Sequence, residues 1–166
     1  MTLAHLLATV GGVGFLRPAP GTWGSLAALP LAWAVHVAGG WLALALAIAV
    51  VLPLGAWAVA SMGGSEVDPS EAVIDEVAGQ WIALLPVSYG AAFAQADVLS
   101  LWPGWVTALV AFRLFDIWKP GPVGYFDRRH TAWGVMLDDA VAGAMAAAVV
   151  VVLAVLWHVA FLGVLG

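Results

Sequence analysis

Asp75, Glu76, Asp116, Asp138 and Asp139 are five carboxylates set inside apolar sequence: AVIDEVAG, FRLFDIW and VMLDDAVAG. With no cysteine in the chain, they form an oxygen-only donor set. Hard oxygen ligands suit Mg²⁺, which takes one or two carboxylates together with water and substrate phosphate. Five acids on one surface repel one another, and a divalent cation relieves that repulsion. The competing reading is a solvated acidic rim, although such a rim is usually interspersed with Lys and Ser. Arg113, Asp116 and Lys119 follow at i, i+3 and i+6, so Arg113 and Asp116 share a helix face. Arg113 suits bidentate phosphate binding and Lys119 supplies a point charge. The plainer alternative is an Arg113–Asp116 ion pair that solubilises a helix end.

Nine of the ten acids lie in two blocks, Glu66–Glu76 and Asp116–Asp139. Four of the five basic residues, Arg113, Lys119, Arg128 and Arg129, lie in or beside the second block. Arg128 and Arg129 read as contacts to lipid phosphates. The segment RPAPGTWGS (Arg17–Ser25) places glycines before a helix start, where backbone N–H groups favour anions. Its hydroxyls, Thr22 and Ser25, join the candidate phosphate-binding set. His130 reads as a loop histidine, and His5, His36 and His158 are too scattered for a ligand set.

The surrounding elements must hold these charges at a membrane. The chain is 64% hydrophobic and 9% charged, against about 25% charged in a soluble domain. Uncharged runs cover Pro18–Ser65, Val77–Ala96, Val98–Phe112 and Ala140–Gly166, and roughly 20 apolar residues span a bilayer as a helix. The composition predicts an all-α polytopic membrane bundle of about four to five membrane helices, forming one domain over residues 1–166. A net charge of −5 without a basic patch argues against nucleic acid. Met1–Leu16 lacks the basic start of a signal peptide.

Gly39–Gly40 predicts a hairpin between apolar arms Ser25–His36 and Trp41–Ala60, the first arm short for a span unless it begins near Thr22. Ser61–Ser70 reads as a loop, with Ser70 capping a helix from Glu71. Pro86 and Ser88–Gly90 are expected to interrupt that helix, which leaves open whether Val77–Ala96 crosses or dips in and out. A turn at Trp102–Pro103, a helix Gly104–Lys119, a loop Pro120–Ala132 and a helix from Gly134 to about Leu162 follow. Gly79 and Gly143 are expected to let helices pack closely. By parity, both acidic blocks and the Arg17 segment meet on one face, which the positive-inside bias makes cytoplasmic. Trp118 and Trp133 belong at that interface, and Trp41, Trp102, Trp105 and Trp157 at the other.

Four segments, PAPGTWGSLAALP (Pro18–Pro30), AVIDEVAGQW (Ala72–Trp81), FRLFDIWKPGPVGYFDRR (Phe112–Arg129) and GVMLDDAVAG (Gly134–Gly143), resemble the phosphatidylglycerophosphatase A family in order and spacing. The resemblance covers about Gly11 to Gly143. It implies a multi-pass enzyme of the bacterial inner membrane, with its active site on the cytoplasmic face. The implied reaction is Mg²⁺-dependent hydrolysis of phosphatidylglycerophosphate to phosphatidylglycerol and phosphate. The family's charged positions map onto Asp75, Glu76, Arg113, Asp116, Lys119, Asp127, Arg128, Asp138 and Asp139. On that basis Asp75, Asp116 and Asp139 (or Asp138) are the expected Mg²⁺ ligands, and Glu76 is a candidate base. One departure is Ala132–Trp133–Gly134, where the family often carries a double glycine.

Other classes fit less well. The DG-x2-AR spacing of CDP-alcohol phosphotransferases is missing, as is the KxxxxxxRP segment of histidine-type lipid phosphatases. An ion transporter would string charges along mid-helix, whereas here they cluster. A non-catalytic lipid-binding protein would not need five carboxylates. Membrane lipids and the lipid substrate are the expected partners, and no motif speaks to oligomeric state.

Overall fold

A computed structural model describes residues 1–62 and 69–162, with side chains described to residue 160. Glu66 and Asp68 of the first acidic block, and most of the loop expected at Ser61–Ser70, lie outside the described residues. The described chain is helical, without strands. Four helices are long and apolar enough to cross a membrane, so this is a multi-pass membrane protein.

Helix α1 (Leu3–Ala8) is capped by the Thr2 hydroxyl, which accepts the His5 N–H at 3.2 Å. A turn with positive φ at Val10, Gly11 and Gly12 then ends it. The Ala8 carbonyl accepts the Val73 N–H at 2.8 Å, which ties this N-terminal segment to the start of α3.

Helix α2 (Pro20–Ser61) opens with Pro20, whose fixed φ and missing N–H suit a first turn. It therefore starts earlier than the expected Ser25. Gly21 and Gly24 are retained inside it because they pack against Glu76 and Val73, where a Cβ would crowd the neighbour. The helix breaks at Gly39–Gly40, and Gly40 has φ +67°, open to glycine. Gly24 lies against Val73, and Gly55 lies against Ile74 and Met136. Both ends of α2 thus return to the same end of α3, as the expected hairpin requires.

Helix α3 (Ile74–Ala94) corrects two expectations. It runs unbroken through Pro86 and Ser88–Gly90, so the Val77–Ala96 region does not turn back halfway. Burial explains this: Ala83, Leu84, Val87, Ser88 and Ala91 are all enclosed by neighbours, and tertiary packing outweighs one missing hydrogen bond. Trp81 Nε1 also donates to the Ala28 carbonyl of α2 at 2.9 Å. The helix begins at Ile74, not Glu71, and Ser70 does not cap it. Val73, pinned by Ala8, is the cap residue, and the Ser70 hydroxyl instead faces Glu71 Oε2 at 3.4 Å.

After α3, Asp97 caps a short 3-10 turn (Val98–Leu101) by accepting the Leu99 N–H at 2.7 Å. Helix α4 (Trp102–Trp118) ends where Lys119 takes a left-handed conformation, φ 48°. The stretch expected to be a loop contains a further helix, α5 (Pro122–Asp127), started by Pro122 in its first turn after Gly121 at φ +44°. Helix α6 (Ala132–Leu162) begins two residues before the expected Gly134, whose N–H bonds the Thr131 hydroxyl at 2.9 Å.

Helix α3 is the central element, packed between α2, α4 and α6. Phe112, Leu44, Leu84 and Met136 are fully enclosed in this core, and the larger Trp81 of α3 is buried with them. Gly79 and Gly143 meet face to face, as expected for close packing. A Cβ on Gly143 would enter the Gly79 carbonyl, and one on Gly79 would come within 2.6 Å of the Asp139 carbonyl. Of the tryptophans expected at the interfaces, Trp102, Trp118, Trp133 and Trp157 are exposed and Trp41 and Trp105 are half-buried.

Candidate active site

The charged residues converge at one end of the bundle because five elements start or stop there. The first turn of α3 carries Asp75 and Glu76. The last two turns of α4 carry Arg113 and Asp116, with Lys119 as the cap. Asp127 ends α5, Asp138 and Asp139 lie in the second turn of α6, and Thr22 and Ser25 lie in the first turns of α2.

Asp75, Glu76 and Asp139 each offer an oxygen within 4.8 Å of the others. Asp75 is 9% exposed and Asp139 only 3%. Two like charges at that separation repel by roughly 3 kcal/mol at an effective dielectric of about 20, so the bare cluster is self-repelling. Glu76 Oε2 and Asp139 Oδ2 are buried without a hydrogen-bond partner among the described residues. An all-oxygen set of three carboxyl groups with unengaged lone pairs fits a hard divalent cation.

The glycine pair is what closes this cluster. Gly79 follows Asp75 by four residues on α3, and Gly143 follows Asp139 by four on α6, so each glycine shares a face with its carboxylate. The close helix contact therefore lies one turn below the acids and brings the two helices together under them.

Arg113 sits beside the cluster. Its Nη1 donates to Asp116 Oδ2 at 2.5 Å and lies 4.0 Å from Glu76 Oε1. The same guanidinium reaches Ser25 Oγ and Thr22 Oγ1, each at 3.5 Å. Ser25 donates its own proton to the Gly21 carbonyl at 2.9 Å, which leaves its lone pairs facing the arginine. Arg113 Nε is buried with no acceptor among the described residues. Asp116 thus serves Arg113, while the carboxylates that come together are Asp75, Glu76 and Asp139.

Lys119 forms a second pair of contacts. Its left-handed backbone folds the ammonium back between Asp127 and Asp138, with Asp138 Oδ2 at 3.0 Å. Burial pulls the ammonium down, but hydrogen bonds and charge from Asp127 and Asp138 outweigh it and hold Lys119 above the ordinary lysine range. Asp138 Oδ1 also accepts the Asp139 N–H at 2.9 Å, which orients the neighbouring carboxylate.

Arg128 is exposed and makes no ion pair among the described residues. Arg129 donates to the Tyr125 hydroxyl at 2.6 Å and stacks over the Tyr125 ring at 4.8 Å, facing outward.

Two residues escaped the sequence reading. Gly21 lies so close to Glu76 Oε1 and Arg113 Nη1 that a Cβ there would displace both, with Arg113 at 3.1 Å. Gln80 is fully buried one turn beyond Glu76, and neither of its amide atoms has a partner among the described residues. The signals were present: a glycine directly after the first helical proline, and an amide four residues after a carboxylate in apolar sequence.

The family model described as Phosphatidylglycerophosphatase A matches residues 6–154. A protein of Escherichia coli (strain K12) named Phosphatidylglycerophosphatase A is 36% identical over 151 residues, covering 87% of this chain and 80% of that one. One of the same name from Haemophilus influenzae is 37% identical over 152 residues, covering 88% and 85%. A Bacteroides thetaiotaomicron protein with the provisional name phosphatidylinositol-3-phosphatase is 36% identical over 149 residues, covering 85% and 87%. No solved structure matches.

Proposed function

Because the chain belongs to the phosphatidylglycerophosphatase A family, we propose that it removes the terminal phosphate of phosphatidylglycerophosphate. The products are phosphatidylglycerol and inorganic phosphate. The observation that carries this reading is the buried Asp75–Glu76–Asp139 cluster beside the Arg113 guanidinium, at one end of membrane-length helices. Such a site lets a lipid keep its tails in the bilayer while its phosphate reaches charged groups and water.

Asp75, Glu76 and Asp139 would hold Mg²⁺, in place of the Asp75–Asp116–Asp139 set expected from the sequence, because Asp116 is committed to Arg113. When bound, the ion supplies an activated water and neutralises charge on the phosphoryl group. Arg113 binds the phosphate through donors that Asp116, Thr22 and Ser25 hold in place. Lys119 adds a fixed positive charge whose protonation Asp127 and Asp138 secure. Gly21 permits the first turn of α2 to approach Glu76 and Arg113 closely. In the net reaction water oxygen bonds phosphorus, the bond from phosphorus to the glycerol oxygen breaks, and that oxygen takes up a proton. Catalysis of this kind depends mostly on positioning and electrostatics.

All five basic residues of the chain lie in the elements that reach this end, which supports a cytoplasmic site in a bacterial inner membrane. The test is phosphate release from phosphatidylglycerophosphate by purified protein, with Mg²⁺ and with EDTA, beside Asp139→Asn. Release that needs Mg²⁺ and falls by about a hundredfold or more in the variant is expected, the scale of losing a principal electrostatic group. No release from folded wild-type protein would sink the reading and leave lipid binding or ion transport.

A further inference from the structure

Gln80 of α3 is 0% exposed, and neither its amide nitrogen nor its amide oxygen has a hydrogen-bond partner among the described residues. A carboxamide carries two N–H donors and a carbonyl acceptor. Leaving such groups unpaired in an interior costs about 1–3 kcal/mol. A leucine would avoid that cost in a helix whose nearby buried positions, Ala83, Leu84 and Val87, are all apolar. Trp81, the next residue, shows the ordinary outcome: its indole N–H donates to the Ala28 carbonyl at 2.9 Å. Helical register fixes where the Gln80 amide is aimed. Gln80 follows Glu76 by four residues, so the two share a face of α3 with Cβ atoms about 5–6 Å apart. Helix side chains lean toward the N-terminus of their helix, and the first turn of α3 is the one that carries Asp75 and Glu76. The amide thus points at the carboxylate cluster from one turn below it.

Glu76 supplies the complementary half. Its Oε1 lies against Gly21 and 4.0 Å from Arg113 Nη1, while its Oε2 is buried without a partner among the described residues. One turn of helix therefore holds an acceptor that lacks a donor, and the next turn holds a donor that lacks an acceptor. We infer that Gln80 is a positioning residue for Glu76, its amide N–H donating to Oε2 and fixing the plane of that carboxylate beside Asp75 and Asp139. This role rests on the phosphatase reading and deepens it, adding a residue that touches neither metal nor phosphate. The terminal torsion of a glutamate is broad, so a contact at Oε1 alone leaves the carboxylate free to turn. A neutral donor suits the task. Lysine or arginine at the same position would also orient Glu76, but would cancel charge that the three carboxyl groups offer to a divalent cation. Groups that orient metal-binding side chains in this way are worth about 10–100-fold in metal affinity or activity.

Full-length wild type, Gln80→Leu and Gln80→Met in detergent are titrated with Mg²⁺ by calorimetry, and their melting temperatures are recorded without metal. Methionine is the closest apolar match in length. Both variants are expected to melt at or above wild type and to bind Mg²⁺ about 10–100-fold more weakly. Their phosphate release at limiting Mg²⁺ should fall in step and recover as Mg²⁺ is raised, which a packing role would not produce. Glu76→Gln and the double variant Gln80→Leu with Glu76→Gln complete a cycle. If Gln80 acts through Glu76, the double variant binds Mg²⁺ no more weakly than Glu76→Gln alone. Wild-type Mg²⁺ affinity in both Gln80 variants overturns the inference and leaves the phosphatase reading intact. Additive losses in the double variant also overturn it, because Gln80 would then act apart from Glu76. Failure of both Gln80 variants to fold does the same, since the amide would be serving the fold. No Mg²⁺ binding by folded wild type removes the metal cluster and this role together. Mg²⁺ binding that weakens as expected, with no phosphate release even from wild type, removes the phosphatase reading and keeps Gln80 as the residue that orients Glu76.

Discussion

Arg113 illustrates how one side chain is placed by several weak contacts and one strong one. Asp116 holds Nη1 at 2.5 Å, and Thr22 and Ser25 steady the rest at 3.5 Å. Asp116→Asn removes the counter-charge but keeps the shape, so its effect should appear mainly as weaker phosphate binding. A rise in KM of about tenfold, the scale of one charge-assisted hydrogen bond, is expected in steady-state kinetics. Asp139→Asn should instead lower Mg²⁺ affinity, read by titrating the metal against thermal stability. Gln80 offers a sharper contrast. A buried amide without partners costs about 1–3 kcal/mol, so Gln80→Leu should raise the melting temperature of metal-free protein. If the amide serves the neighbouring carboxylates through water or substrate, phosphate release falls in that same variant; unchanged release would make Gln80 a packing residue. Lys119 has a raised pKa, so its contribution is complete below the ordinary value of 10.5 and is lost only as pH climbs through the higher, folded value. A pH–rate profile should therefore show no alkaline limb from Lys119 below about pH 10.

The elements place these side chains through two glycines. Gly79 and Gly143 bring α3 and α6 into backbone contact one turn below Asp75 and Asp139. Gly143→Leu should cost about 1–3 kcal/mol by overpacking. It should also spread the carboxylates and lower Mg²⁺ affinity, although residue 143 touches neither metal nor substrate. Wild-type metal binding in a folded Gly143→Leu protein would separate the glycine contact from the site. Helix α3 shows where local signals mislead. Pro86 and Ser88–Gly90 predict a break when read along the chain, yet the helix lies at the centre of the bundle and its neighbours hold it straight. The short α5 has the opposite history: its proline and glycines read as loop, while Pro122 starts a turn that presents Asp127 to Lys119.

At the scale of the whole molecule, an α2 hairpin, the single crossing of α3 and the return of α4 bring three distant segments to one end. The chain has no cysteine, so single cysteines can map this topology. Cysteine at Arg128 should react with a membrane-impermeant reagent only after the inner membrane is opened, and cysteine at Ser100 should react in intact spheroplasts. Reaction at both sites from the same side would remove the parity on which the shared charged end depends. Much of this arrangement was legible in the sequence. Charge is so costly in a bilayer that its distribution along the chain marks the working end, and four ordered motifs pointed to the family. The hairpin at Gly39–Gly40 and the close pair Gly79–Gly143 were legible for a similar reason, since glycine repeats serve few purposes in apolar helices. Other features were decided only by tertiary structure: the continuity of α3, the grouping of Glu76 with Asp75 and Asp139, and the commitment of Asp116 to Arg113. Each depends on which faces of separate helices meet. Residue type and spacing determine what a carboxylate can do, but its partners lie tens of residues away and are chosen by packing.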